Sequence, residues 1–372
     1  MNPFQRLKQT IKNNYERQQN GGHNFIPVGF DRFSDYYPGI IKESYTIWTA
    51  NTGVGKSKLS RFICINKVLE FVDSHSEIKP IIVVFSLELS AQEYVADIIC
   101  SKLHSEHNIN LNYRELISIT TKPTKLNKKI LDIIDSYDDW VDKFNKYVTI
   151  YEDIKNPYGI YKTCIDIIKR NIKGIEDIEK DENGNDRKYW KYTDENQYFI
   201  PIIDTINLIT AEKGYTHWDS MKKLSNDYFL TLKNYWKSHV HAIQQQGSDK
   251  ERIESDFSGK TIESKLFPSI DGLADCKLTS KDATEVIGIF APDRYEIKSY
   301  LGYDISQWKD NIRFIKLLKS RYSTPNQPLA LFFNGATGDF EELPKAEDCN
   351  SNTVNQYKKK YGLVTQKLRL HE

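Results

Sequence analysis

The segment Ala50-Asn51-Thr52-Gly53-Val54-Gly55-Lys56-Ser57 sets glycines, a lysine and a hydroxyl in an order suited to holding a polyphosphate. Glycines let successive backbone N–H groups curl around an anion. A helix that opens at the end of the segment aims the positive end of its dipole at the same anion. Lys56 can reach the β- and γ-phosphates, the Ser57 hydroxyl can ligate Mg²⁺, and Lys58 stands in the same first turn. The pattern departs from the usual phosphate loop only in its first glycine, which is Ala50, a small residue. By itself the segment predicts a site for a nucleotide.

Two acids and a glutamine extend this chemistry. Asp204 closes the apolar run Tyr198-Phe199-Ile200-Pro201-Ile202-Ile203, and a carboxylate there can hold a metal's hydration shell near Ser57. Glu88 closes Ile81-Ile82-Val83-Val84-Phe85-Ser86-Leu87 and can orient and deprotonate a water attacking the γ-phosphate. Gln245, after the short run His239–Ile243, can sense that phosphate by hydrogen bonding. Each acid alone reads equally well as a solvated strand-end carboxylate. Both together, after a phosphate loop, favour the site.

These groups work only if strand ends and helix starts hold them. The run Tyr45–Thr49 predicts a strand before the loop, and a helix follows to about Phe71. The continuous apolar, β-branched runs ending at Glu88 and Asp204 predict buried parallel strands. Further strands are expected at 147–151, 285–290 and 312–318, with a closing hairpin from Leu329 to Phe340. Helices are expected over 91–103, 158–172 and 218–238, and the Asn183-Gly184 turn signal predicts a hairpin or a mobile excursion within the charged stretch 176–196. Strands alternating with helices imply an α/β fold, a mainly parallel sheet covered on both faces. Residues 2–19 predict a helix with Phe4, Leu7, Ile11 and Tyr15 on one stripe, followed by a hinge. From Lys345 the composition turns polar, and Lys358-Lys359-Lys360 predicts a basic, mobile tail.

Composition narrows the classes. The 372 residues carry 52 Lys and Arg against 51 Asp and Glu, so nucleic-acid contact requires a local basic patch. The five cysteines lack metal-binding spacing, which fits a reducing cytoplasm without structural zinc. No apolar run reaches membrane-spanning length, and the first residues lack the apolar core of a signal peptide.

With these residues in place, the chain resembles the RecA-like motor domain of DnaB-type hexameric replicative helicases. The resemblance runs from about residue 25 to 343. It rests on the lead-in Ile26–Phe33, on Phe85-Ser86-Leu87-Glu88-Leu89-Ser90-Ala91, on Ile203–Leu208, on Ala242-Ile243-Gln244-Gln245, on Lys319-Ser320-Arg321, and on Leu331–Gly335 with Phe340. It implies a RecA-like P-loop NTPase with a linker helix and hinge at 1–24, an ATPase domain at 25–344 and a tail at 345–372. It implies a homo-oligomer, a hexamer, that hydrolyses ATP and draws single-stranded DNA through its pore. Lys319 and Arg321 would reach the nucleotide of the next subunit, Arg321 as an arginine finger. A primase or loader is an implied partner, and a phage or other mobile element the implied source.

The chain departs from the family in two places. The family's N-terminal collar domain is expected to be absent. The 2–19 helix fits two placements, on a neighbouring subunit or on its own domain. Where the family has Arg-Glu-Ser-Gly in its DNA-facing loop, this chain has Ala274-Asp275-Cys276-Lys277. Lys277, Lys281, Lys260 and Lys265, with Lys250 and Arg252, are candidate phosphate contacts, and equally a solvated surface. Two other readings stay open: a RecA- or KaiC-like ATPase without unwinding activity, and an accessory DNA-binding or interaction protein that keeps the fold.

Overall fold

The computed structural model describes residues 3–121, 125–180, 184–247, 266–325 and 327–363. Among them a nine-stranded sheet forms the centre. Its strands, in chain order, are β1 (Ser44–Ala50), β2 (Lys79–Ser86), β3 (Val148–Tyr151), β4 (Gln197–Asp204), β5 (His239–Gln245), β6 (Glu285–Phe290), β7 (Ile312–Ser320), β8 (Leu329–Asn334) and β9 (Asp339–Glu342). Across the sheet they run β9-β8-β7-β6-β1-β5-β4-β2-β3. The six from β6 to β3 are parallel, and β7, β8 and β9 extend the sheet antiparallel.

Both faces of the parallel part are buried, which is why its strands read as continuous apolar runs. Ile82, Val84, Ile200 and Ile202 face one core with Trp48, Leu59 and Ile63. The alternate residues Val83, Phe85, Phe199 and Ile203 face a second core with Tyr45 and Ile47. The first core is covered by the helical run 56–74 and by α2 (Ala91–His107). The helical run contains a π turn at Phe62–Asn66. The second core is covered by α3 (Pro157–Asn171) and by the helical segments over 217–234.

The parallel order fixes what meets at the carboxyl ends. β5 lies between β1 and β4, and β2 lies beyond β4. The phosphate-loop residues, Gln245, Asp204 and Glu88 therefore gather along one edge, where ligands bind in open α/β sheets. Outside the sheet, Gly174–Lys180 pairs antiparallel with Asp186–Tyr192, the hairpin of the two alternatives, with Asn183 itself outside the described residues.

The N-terminal helix α1 spans Pro3–Gln19. Its far end is tied to the body, where Arg17 donates to the Glu195 carbonyl at 3.0 Å and to Asn196 Oδ1 at 2.6 Å. Its apolar stripe does not pack on its own chain. Phe4, Leu7, Ile11 and Tyr15 are 65%, 55%, 59% and 62% exposed.

The mobile basic tail expected from Lys345 needs correction. Ser351–Lys360 forms a helix, α4, whose Val354 and Tyr357, with Tyr361 just beyond it, pack on Trp308 and Phe332. Lys358 donates to the Gln307 carbonyl, and Lys360 pairs with Glu341. The apolar residues recur at spacings of three and four, the helical period that the adjacent lysines mask. No helix among the described residues is long and apolar enough to cross a membrane.

Candidate functional site

β1 ends at Ala50, fully buried, and the chain turns through Gly53 and Gly55 at φ 74° and 106°. Only glycine adopts these angles without strain. Space also demands glycine at position 55, because a Cβ there would meet Phe333 at 3.1 Å. Gly55 then caps the helix that begins at Lys56. The Lys56 ammonium is buried and donates to the carbonyls of Ala50 and Asn51 at 3.0 and 2.9 Å. These bonds hold it within the loop's concavity. The loop tip stays exposed, but two side chains reach the loop. Arg294 donates to the Thr52 carbonyl, and Asn51 donates to the Tyr295 hydroxyl.

Ser57 and Asp204 come together from strands two apart in the sheet, the Ser57 hydroxyl donating to Asp204 Oδ1 at 2.9 Å. Asp204 is 3% exposed, and burial pushes its carboxyl up to about 6. The Ser57 hydrogen bond and the Arg61 and Lys56 charges oppose that rise, and Glu88 adds to it. The peptide bond from Asp204 to Thr205 is cis.

Glu88 is exposed just past β2. The Leu87 N–H donates to the Asp204 carbonyl at 2.7 Å, and the Ser86 hydroxyl to the Leu89 carbonyl at 2.6 Å, so the Glu88 turn is tied on both sides. Beyond it, Ser90 and Glu93 form a reciprocal capping box that fixes the start of α2.

A cavity of about 440 Å³ joins these groups. Thr52, Gly53, Gly55, Lys56, Ser57 and Lys58 form its floor, and Glu88, Asp204 and Gln245 stand along one side. The three glutamines ending β5 divide their roles by strand alternation. Gln244 donates to the carbonyls of Ala274 and Cys276, Gln246 to Thr49 and to the Ser269 carbonyl, and Gln245 faces the cavity.

Several cavity residues were not anticipated from the sequence. Arg313 is 1% exposed, yet it lines the cavity. Its guanidinium donates to the Val54 carbonyl at 2.7 Å and to Asp310, and it lies 4.3 Å from the Phe333 ring centre. A lone arginine inside the apolar run of β7 was the available signal. Arg61, one turn after Ser57, is also buried; it pairs with Asp97 and lies over Tyr94.

The remaining candidates lie elsewhere. Lys319 and Arg321 end β7, which runs against β6, so Ser320 pairs with Glu285 at the amino end of the parallel strands. That is the end opposite the phosphate loop. Lys319 donates to the carbonyls of Ser280 and Ala283 at 2.5 and 2.7 Å, and Arg321 to that of Lys281 at 3.0 Å. Burial and the Arg321 charge hold the Lys319 ammonium below its ordinary range. Lys277 is exposed in a neighbouring cavity of about 500 Å³ that also holds Gln245, Asp271 and Asp275. Lys281 lies on the 279–282 turn, where its carbonyl accepts from Lys319 and Arg321. Lys250, Arg252, Lys260 and Lys265 lie outside the described residues.

Hard oxygen donors suit Mg²⁺. Half-buried Ser57 and buried Asp204 supply two beside the cradle. No cluster of three or more His, Cys, Asp or Glu positioned for a metal occurs among the described residues.

No protein-family model matches the sequence, and no curated protein matches it. Solved structures do. One described as an ATPase domain superposes with a TM-score of 0.63 at 14% identity, covering 91% of this chain and 99% of that one. A DnaB-like replicative helicase, described with its interactions with primase, superposes with a TM-score of 0.62 at 15% identity, covering 89% of this chain and 66% of that one. At such identities the likeness is one of fold. The chain has the RecA-like α/β fold that the resemblance implied.

Proposed function

We propose that this chain is an ATP-hydrolysing motor subunit of the DnaB-like helicase type, acting on single-stranded DNA in replication. One observation carries the reading. Lys56, Ser57, Glu88, Asp204 and Gln245 meet in one cavity, whereas Lys319 and Arg321 stand at the opposite end of the sheet. A subunit so built holds one half of a site on each of two faces, and a ring or spiral brings unlike faces together.

In this reading the loop amides and Lys56 bind the phosphates, and Ser57 and Asp204 hold Mg²⁺. The metal, when bound, neutralises charge on the β- and γ-phosphates. Glu88 takes a proton from the attacking water, whose oxygen bonds to the γ-phosphorus as the bond to the β–γ bridging oxygen breaks. Lys319 and Arg321 of one copy leave the carbonyls that hold them and stabilise charge on the phosphoryl group at its neighbour. The exposed stripe of α1 docks on that neighbour, and Lys277 touches the DNA backbone. The assembly is a hexamer, a primase or loader is its partner, and the host cytoplasm its compartment.

The test pairs hydrolysis with unwinding. Purified chain is assembled with ATP and Mg²⁺ and given single-stranded DNA and a forked duplex. DNA-stimulated hydrolysis with strand separation is expected. Stimulated hydrolysis without separation moves the assignment to a RecA- or KaiC-like ATPase. No hydrolysis by assembled chain removes the motor assignment and leaves an accessory protein.

A further inference from the structure

One side chain that the proposed chemistry does not use joins three elements around the cavity. Asn207, half-buried, lies three residues beyond Asp204. Its Oδ1 accepts from the Gln245 backbone N–H at 2.7 Å and from the Thr205 hydroxyl at 3.2 Å. Its Nδ2 donates to Asp275 Oδ2 at 2.6 Å. The Thr205 hydroxyl also donates to the Ile243 carbonyl at 2.7 Å. Asn207 thus touches the end of β4, the end of β5 and the loop 271–277.

That loop has little independence from β5. The Ala274 N–H donates to the Gln245 carbonyl at 2.9 Å, and Gly247 N–H to the Gly272 carbonyl at 2.8 Å. Gln246 and Leu273 form an antiparallel bridge. Gln244 holds the carbonyls of Ala274 and Cys276, and the Thr279 hydroxyl returns a bond to Gln244 Oε1 at 2.6 Å. Only the side chain of Gln245 is left to face the nucleotide cavity, and that residue also borders the cavity formed by the loop. A backbone shift at Gln245 therefore moves the loop.

We infer that Asn207 is a positioning residue that latches Gln245 to Asp275, so that occupancy of the nucleotide cavity is transmitted to the loop 271–277. The inference rests on the proposed nucleotide binding and adds the route out of that site. The Asn207 amide suits the task because it accepts from Gln245 and donates to Asp275 at once. Neither an apolar residue nor a carboxylate does both. The bond to Asp275 is the one that a single substitution reverses.

The experiment measures hydrogen exchange at amides 271–277 with and without a non-hydrolysable ATP analogue and Mg²⁺, and measures analogue affinity separately. In the wild-type chain, analogue binding slows exchange about tenfold, corresponding to roughly 1.4 kcal/mol. Asn207→Asp keeps the acceptor for Gln245, loses the donor and faces Asp275 with like charge. The analogue-dependent slowing then falls to less than about twofold, while affinity changes by less than about threefold. Asp275→Asn, at an exposed position, keeps an oxygen acceptor for Asn207 but loses the charge that strengthens the bond, so the slowing falls to an intermediate value. Combining Asn207→Asp with Asp275→Asn restores one donor and one acceptor and recovers the slowing. A purely structural role for Asn207 predicts no such recovery. The latch is overturned if either single variant retains the full response, or if the swapped pair binds analogue and stays unresponsive. A wild-type chain that binds no analogue overturns the proposed function instead, and an analogue that binds without altering 271–277 overturns the latch alone.

Discussion

The two ends of the parallel strands hold charge in different ways. At the carboxyl end, buried Lys56 is held by two carbonyls of the loop itself and Ser57 is bonded to Asp204 around one cavity, which exposed Glu88 also lines. At the amino end, Lys319 and Arg321 bond to backbone carbonyls of their own chain, and Arg321 remains exposed. The first arrangement is pre-organised for a polyphosphate. The second parks cations on neutral acceptors, which they can leave at modest net cost because water or phosphate replaces the lost bond. Under the proposed function, a site divided in this way makes hydrolysis conditional on assembly.

The largest expected effect breaks the divided site from its far side. Arg321→Ala lowers turnover of the assembled protein by about 10³–10⁵-fold, the range for losing an arginine finger, and leaves nucleotide affinity of the isolated subunit unchanged. Turnover and equilibrium titration with a fluorescent ATP analogue check it. An equal loss of affinity would place Arg321 in the cradle of its own chain.

Next comes the near side. Glu88→Gln lowers single-turnover hydrolysis by roughly 10²–10⁴-fold, as expected for removing a general base, with analogue binding retained. Turnover that survives this change assigns the base elsewhere.

A third effect concerns stability at the amino end. Glu285 is 2% exposed, and burial pushes its carboxyl from 4.5 up to about 7, against the pull of Thr46, Ser320 and Lys233. The folded chain keeps this proton where the unfolded chain releases it. Its contribution is therefore full below about pH 4.5 and is lost as pH rises through about 7. Glu285→Gln should raise stability at pH 8 relative to pH 5 by on the order of 2–3 kcal/mol. Denaturant melts at the two pH values measure the difference, and equal gains at both contradict it.

The smallest expected effect separates folding from assembly. Leu7→Ser with Ile11→Ser shifts subunit stability by less than about 0.5 kcal/mol, because both side chains are more than half exposed. The same pair weakens self-association in sedimentation. A large loss of subunit stability would mean that α1 packs on its own chain in solution.

How much of this was legible in the sequence depends on where each signal is written. The strands carrying Glu88 and Asp204 were readable because both of their faces are buried, which forces unbroken apolar runs. The cradle was readable because the backbone angles at 53 and 55 favour glycine, and Phe333 crowds position 55 as well. The order of strands across the sheet follows from long-range pairing, which no local pattern records, so the placement of Gln245 between the loop and Asp204 emerged only in three dimensions. Arg313 and Arg61 escaped notice because their partners, Val54 and Asp97, are distant in sequence. Helix α4 escaped because three lysines hid the spacing of Val354, Tyr357 and Tyr361. Asn207 looked like an ordinary polar residue after a strand; its three partners are spread from Thr205 to Asp275.

The divided site is tested most directly by mixing two inactive chains. Lys56→Ala disables the near half, Arg321→Ala disables the far half, and neither hydrolyses ATP at an appreciable rate alone. In a mixed assembly, some junctions pair an intact cradle with an intact arginine. The account predicts that hydrolysis reappears on mixing and is greatest near equal proportions. Mixed assemblies, verified by differential labelling, that remain as inactive as their parents would contradict it.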